Sequence, residues 1–163
     1  MNFESNFAAI GFAGGITIDQ LQASCAAVPE TPGVYAVVRK SEGPVHFLQT
    51  SSGGRFKNRD PSVPIAKLQA RWLPQAEVLY IGKAGGSGQR STLHSRLHSY
   101  MQFGLGQPCA HWGGRYIWQL ADAKHLAVYW VAIPHAEPAH VESRLLNEFV
   151  QTYDHFPFAN LRR

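Results

Sequence analysis

The chain is short of charge and short of cysteine. Asp, Glu, Lys and Arg make up 16% of its 163 residues, against 45% hydrophobic residues. That balance builds a core and argues against disorder. Its two cysteines, Cys25 and Cys109, are far apart and form no CxxC pair. They read as reduced thiols with packing roles and not as a disulfide. No apolar run approaches the length of a membrane span. Residues 1–15 lack the basic start and apolar core of a signal peptide, so a cytoplasmic protein is expected. No repeat or low-complexity tract is visible. The glycine-rich stretch 82–88 lacks the GxxxxGK[ST] order of a P-loop, and no GxSxG marks a hydrolase nucleophile. His94 and His98 have a zinc-like i, i+4 spacing. No glutamate follows His94, however, and Arg96 between them disfavours a bound cation.

What is present fits one domain over 1–163 with a sizeable core. The net charge of +4 permits a nucleic-acid partner without demanding one. Thr17-Ile18-Asp19-Gln20 reads as a capping box opening a short helix to about Ala26, within an N-terminal helical extension over 1–30. Val34 to Val38 is a β-branched strand after the turn Pro29–Gly33. The stretch 39–64 is rich in Gly, Ser, Pro and charge and reads mostly as loop, with a short strand possible at His46-Phe47-Leu48. Ile65, Leu68 and Trp72 predict a helix that Pro74 stops. Val78 to Ile81 is a second strand. Ser91 or Thr92 can cap a helix running to about Phe103. Ile117 to Leu120 fits a strand or a helix. His125 to Ile133 alternates as a strand, and the last helix is expected over about Val141 to Tyr153. Mixed elements without a repeated strand-helix-strand pattern predict an α+β fold, a small, mainly antiparallel central sheet flanked by helices.

One residue breaks the amphipathic pattern. With about 100° per residue, Val141, Leu145, Leu146, Phe149, Val150 and Tyr153 form one broad apolar face of the last helix, and Glu142 falls in its middle. A carboxylate facing a core costs several kcal/mol unless a cation or hydrogen bonds compensate. Two readings follow. Glu142 leans out to water from the first turn and favours the helix dipole, or it points into a cleft to hold a metal or a proton. The strands add Tyr35 and Tyr80, each beside glycine, usually core or rim residues. Lys83 follows at a strand end. Arg96 and Tyr100 share one side of their helix. Arg96 is an edge residue with its head in solvent, or a guanidinium that reaches a phosphate.

Taken together, GVY (33–35), YIGKA (80–84), LHSRLHSY (93–100), the glutamate of VESRLLNEF (141–149) and the asparagine of PFANL (157–161) resemble the GIY-YIG nuclease superfamily, in the family's order. The resemblance spans roughly Thr31 to Leu161. It implies a divalent-metal-dependent endonuclease that hydrolyses DNA phosphodiester bonds. Tyr35 and Tyr80 would line the site, with Tyr80 the better candidate to deprotonate the attacking water. Lys83 would lower that phenol's pKa, which is near 10 when unperturbed. Arg96 would stabilise charge on the scissile phosphate. Glu142 would hold one Mg2+ (or Mn2+). Asn160 would orient the site, and Tyr100 would assist proton transfer. RNA is an alternative substrate, and a non-catalytic nucleic-acid-binding module on the same fold is the alternative function.

The long stretch between the motif strands departs from compact family members. This insertion, 39–76, carries Arg55, Lys57, Arg59, Lys67 and Arg71 around Phe56. It reads equally as a DNA-facing flap adding phosphate contacts or as a solvated loop with a packing helix. Arg90 lies in a second enlarged loop, 85–91. Arg115 lies in the segment His111–Tyr116, whose aromatics stack on bases or simply pack.

Overall fold

A computed structural model describes residues 3–161. The elements run α1 (Phe3–Ile10), β1 (Ala13–Thr17), α2 (Ile18–Ala23), β2 (Gly33–Val38), α3 (Ile65–Arg71), β3 (Val78–Ala84), α4 (Leu93–Gly104), two 3-10 segments (Trp112–Gln119 and Ala123–His125), β4 (Ala127–Ala132) and α5 (Pro138–Tyr153). The four strands form one antiparallel sheet in the order β1-β4-β2-β3. The fold is α+β, an open antiparallel sheet flanked by helices. No helix among the described residues is long and apolar enough to cross a membrane.

Strand alternation divides the core between the two faces of the sheet. On one face Tyr35, Val37 and Tyr80 pack with Leu21 of α2, Leu68 of α3, and Leu97, Tyr100 and Phe103 of α4. On the other, Val34, Ala36, Val38 and Ile81 meet Phe7 of α1 and Leu145, Leu146 and Phe149 of α5. β2 is buried at every position, which suits its central place. Both cysteines are free thiols, Cys25 buried and Cys109 half-buried.

Local signals explain most boundaries. Thr17 and Gln20 form the expected capping box at the start of α2, and Thr92 with Ser95 forms one at α4. α3 ends at Arg71, ahead of Pro74. The segment 117–120 is neither strand nor α-helix but the end of a 3-10 run, and His46–Leu48 contributes only a bridge from Phe47 to Leu120. Two boundaries correct the sequence expectation. The N-terminal stretch is not only helical, because 13–17 supplies an edge strand. Its glycines shape the strand. Gly15, at φ +74°, sits where the register shifts, and a Cβ on Gly14 would meet the Trp130 ring at 2.7 Å. α5 begins at Pro138, three residues before the expected Val141. Proline suits the first helical turn, where its missing N–H has no partner to lose.

The insertion is built around two anchors. The fully buried Gln119 accepts from the Val63 N–H (3.0 Å) and donates to the carbonyls of Leu48 (2.9 Å) and Val63 (2.7 Å). Both ends of the loop 49–62 are thus tied to one side chain. Downstream, Arg71 donates to the carbonyls of Phe158 (3.0 Å) and Asn160 (2.6 Å), and Trp72 packs edge-on against Phe158. α3 therefore packs and holds the segment that follows α5.

Candidate active site

β3 is an edge strand, with N–H and C=O groups that point away from the sheet. The segment after α5 covers them. Ala159 donates its N–H to the Leu79 carbonyl (2.8 Å). The Asn160 side chain then binds Ile81 twice, accepting from its N–H at 2.9 Å and donating to its carbonyl at 2.8 Å. Asn160 is 95% buried, being 5% exposed. A cleft runs along this edge of β3, lined by residues from both faces of the sheet.

The cleft has a volume of about 610 Å³, and its walls include Tyr80, Lys83, Arg96, Glu142 and Asn160. Residues separated by up to about a hundred positions in sequence meet there. Arg59 and Arg115 also line it. Tyr80 lies on the α4 face of β3. Lys83, three positions on, falls on the α5 face, because an odd step along a strand changes face. Glu142 reaches the cleft from α5 and Arg96 from α4.

Glu142 is half-buried. Because α5 starts at Pro138, Glu142 lies beyond the first turn, so the helix dipole does not account for it. Burial raises its pKa above the ordinary carboxylate value, while Lys83 and Arg96 pull it partly back. A metal fits these residues in one way only. Among the described residues there is no group of three or more His, Cys, Asp or Glu that could hold an ion. A lone carboxylate suits a magnesium ion that takes its other ligands from water and phosphate.

Beneath the cleft lies a triangle of tyrosines. Ring centroids are 6.0 Å apart for Tyr35 and Tyr80, 6.4 Å for Tyr35 and Tyr100, and 5.8 Å for Tyr80 and Tyr100. Tyr35 is fully buried and forms the floor, not the lining. Its hydroxyl and Arg96 Nε complete no hydrogen bond of good geometry, although they lie close enough for Arg96 to favour the phenolate. Burial raises the pKa of all three phenols, and of Tyr80 and Tyr100 well above 10. Two expectations change here. Lys83 lies on the opposite face of β3 from Tyr80: the cation that lowers the Tyr80 pKa is Arg96, and the charge of Lys83 acts on Glu142. Tyr100 is fully buried, does not line the cleft, and donates its hydroxyl to the Gly114 carbonyl at 2.7 Å. In the free chain it supports the floor.

Of the five basic residues expected to contact nucleic acid, Arg59 and Arg115 line the cleft. Arg55, Lys57 and Arg90 are exposed and lie outside its walls. Sequence reasoning missed Gln89, and gave His111 and Trp112 no role beyond base stacking or packing. Gln89 is placed by its turn, its N–H donating to the Gly86 carbonyl at 3.0 Å. That loop is anchored to α5, with Ser87 donating from its N–H (3.1 Å) and hydroxyl (2.9 Å) to the Glu137 carboxylate. His111 is 5% exposed and stacks on Tyr100 at 5.2 Å. Burial, aided by Arg96, lowers its pKa to about 3, so it is neutral at physiological pH. Only the glycine pair before Arg115 hinted at close packing here, and a Cβ on Gly114 would lie 2.6 Å from the Tyr100 hydroxyl.

No family model, curated protein or solved structure matches the chain.

Proposed function

We propose that the chain is a divalent-metal-dependent nuclease of the GIY-YIG type that hydrolyses DNA phosphodiester bonds. The observation that carries this reading is the meeting of Tyr80, Lys83, Arg96, Glu142 and Asn160 in one cleft. These are the residues of the sequence resemblance, and packing alone gives no reason for a carboxylate at position 142.

The chemistry follows from the electrostatics. Arg59, Lys83, Arg96 and Arg115 face the single carboxylate of Glu142 across the cleft, an excess of positive charge that suits a polyanion. Arg96, with Nε lacking an acceptor, stabilises the extra charge on a phosphate as water adds to phosphorus and the P–O bond to the leaving oxygen breaks. Glu142 would hold the magnesium ion, which supplies Lewis-acid stabilisation of that charge. Tyr80 is only 8% exposed at the cleft wall and is neutral in the free chain, so its first role is to orient the attacking water. Asn160 fixes the β3 backbone between Tyr80 and Lys83.

The raised tyrosine pKa values favour one rival, a nucleic-acid-binding module without catalysis, because the free chain holds no ready phenolate base. A single assay separates the readings. Supercoiled plasmid is incubated with the protein and magnesium or manganese, then with Glu142→Ala and with chelator. Nicking that needs both the metal and Glu142 supports the nuclease. Binding without cutting of DNA or RNA, under any divalent metal, supports the rival.

A further inference from the structure

The rim of the cleft carries an arrangement that the reaction centre does not use. The Trp112 ring has the Arg59 guanidinium at 5.0 Å and the Arg115 guanidinium at 4.5 Å from its centroid. All three residues line the same cleft as Glu142. Arg59 comes from the insertion and Arg115 from the 3-10 segment, so two remote pieces of chain meet on one indole.

Both arginines are pre-positioned. Phe56 and Arg59 bond each other's backbones across a two-residue turn, N–H to carbonyl at 3.3 and 3.0 Å. The two central residues, Lys57 (φ +50°) and Asn58 (φ +60°), have left-handed backbones. Asparagine tolerates that conformation, but lysine seldom adopts it. The turn sets Phe56 at 6.3 Å from Trp112 and brings Arg59 over the same ring. On the other side, Arg115 donates from Nη1 to the Trp112 carbonyl at 2.9 Å. Arg59 forms no ion pair among the described residues.

A guanidinium stacked on an aromatic ring presents its in-plane N–H edge to anions. A ring already covered by guanidinium has less of its face to offer a nucleobase. We infer that Trp112 holds Arg59 and Arg115 as a phosphate clamp, which grips the DNA backbone beside the scissile phosphate without reading base sequence. The clamp rests on the nuclease reading for the identity of its ligand. It gives the insertion a function: the loop 49–62 supplies one jaw.

Fluorescence anisotropy tests this with labelled DNA duplexes of two unrelated sequences, in chelator to prevent cutting, over a series of salt concentrations. Arg59→Ala and Arg115→Ala are each expected to weaken binding of both sequences equally, by about tenfold at low salt, and to reduce the log–log salt slope by about one. Trp112→Ala is expected to reproduce much of that loss, and Trp112→Phe to retain most of the binding. Arg59 is exposed, so its variant tests the clamp even where Trp112→Ala disturbs folding. Wild-type affinity and slope in Arg59→Ala would overturn the clamp, as would unequal losses for the two sequences. Stronger, Arg59-dependent binding of an RNA duplex would overturn DNA as the ligand. If these losses are seen but no metal yields cutting, the clamp stands and the nuclease reading falls. If cutting is seen but binding is insensitive to Arg59, the reverse holds.

Discussion

Tyr35 and Gly82 face each other across β2 and β3, and a Cβ on residue 82 would lie 2.6 Å from both the Tyr35 hydroxyl and its Cζ. The glycine is thus the room that the tyrosine occupies. Gly82→Ala is expected to destabilise the chain by about 1–3 kcal/mol through overpacking, read as a lower denaturant midpoint at unchanged slope. Tyr35→Phe should behave differently. It removes a buried hydroxyl that completes no good hydrogen bond, so stability is expected to hold within about 1 kcal/mol or to rise. A fall in plasmid cutting without a fall in midpoint would assign Tyr35 to the chemistry and not to the core.

Replacing Asn160 tests the edge of β3. Asn160→Ala leaves the Ile81 N–H and carbonyl without their side-chain partners, at a cost of roughly 1–3 kcal/mol. Asn160→Asp keeps the shape but, once ionised, loses the donor and turns a carboxylate toward a carbonyl. Its midpoint should be low at neutral pH and recover partly in acid, where the protonated acid donates again. Equal midpoints for wild type and both variants would mean that water replaces the pairing at no cost.

Glu142 and Lys83 make a linked pair of measurements. Burial raises the Glu142 pKa, so its ionised form costs stability as pH rises through that value. Glu142→Gln is therefore expected to melt at the same temperature as wild type or higher at neutral pH, and to abolish cutting. Chelator should abolish cutting with no change in melting. The carboxylate is the metal-holding form, so at limiting magnesium the acid limb of the pH–activity profile should lie above the ordinary glutamate range, and excess magnesium should draw it down by competing with the proton. Lys83→Met removes a charge that lowers this pKa, and the limb should move further up. A limb that stays in place or moves down would separate Lys83 from Glu142.

His111 predicts a pH dependence of folding. Its folded pKa is about 3 against 6.5 unperturbed. Between those values the unfolded chain binds a proton that the folded chain does not, so stability falls as pH falls below about 6.5. The slope from this group is at most about 1.4 kcal/mol per pH unit. Arg96 opposes its protonation, and the stacked Tyr100 carries no charge to favour it. His111→Gln should flatten unfolding free energy over this window, and an unchanged slope would place the histidine's titration elsewhere.

The parts of the fold legible in the sequence were those with strong local signals. Thr17 with Gln20, the β-branched run 34–38 and the apolar stripe of α4 announce themselves within a few residues. β1 did not, because Gly14 and Gly15 serve a bulge and a neighbouring ring that no local window contains. For the site, the wheel put Glu142 on the apolar face of the last helix, and the side chain is half-buried. It could not show that three more residues precede Val141 in the helix. The resemblance assigned Lys83 to Tyr80, although an odd spacing along one strand puts the two on opposite faces. The tertiary partners were out of reach: Trp112 gains its role from Arg59, more than fifty positions away, and His111 gains its neutrality from burial that its neighbours do not reveal.

Gln119 gives the loop 49–62 a property apart from its sequence. Leu48 and Val63 stand on the same buried amide, so the ends of the loop are fixed whatever lies between them. Closing a longer or shorter span adds little entropic cost once its feet are pinned. Ser52 and Gly54 are tied as well, donating their N–H groups to the carbonyls of Trp118 (3.0 Å) and Phe103 (2.8 Å), so the turn from Arg55 to Asp60 is the exchangeable cassette. Lineages or engineers could swap it for another reach or charge pattern while the strands, the tyrosine floor and Glu142 stay as they are.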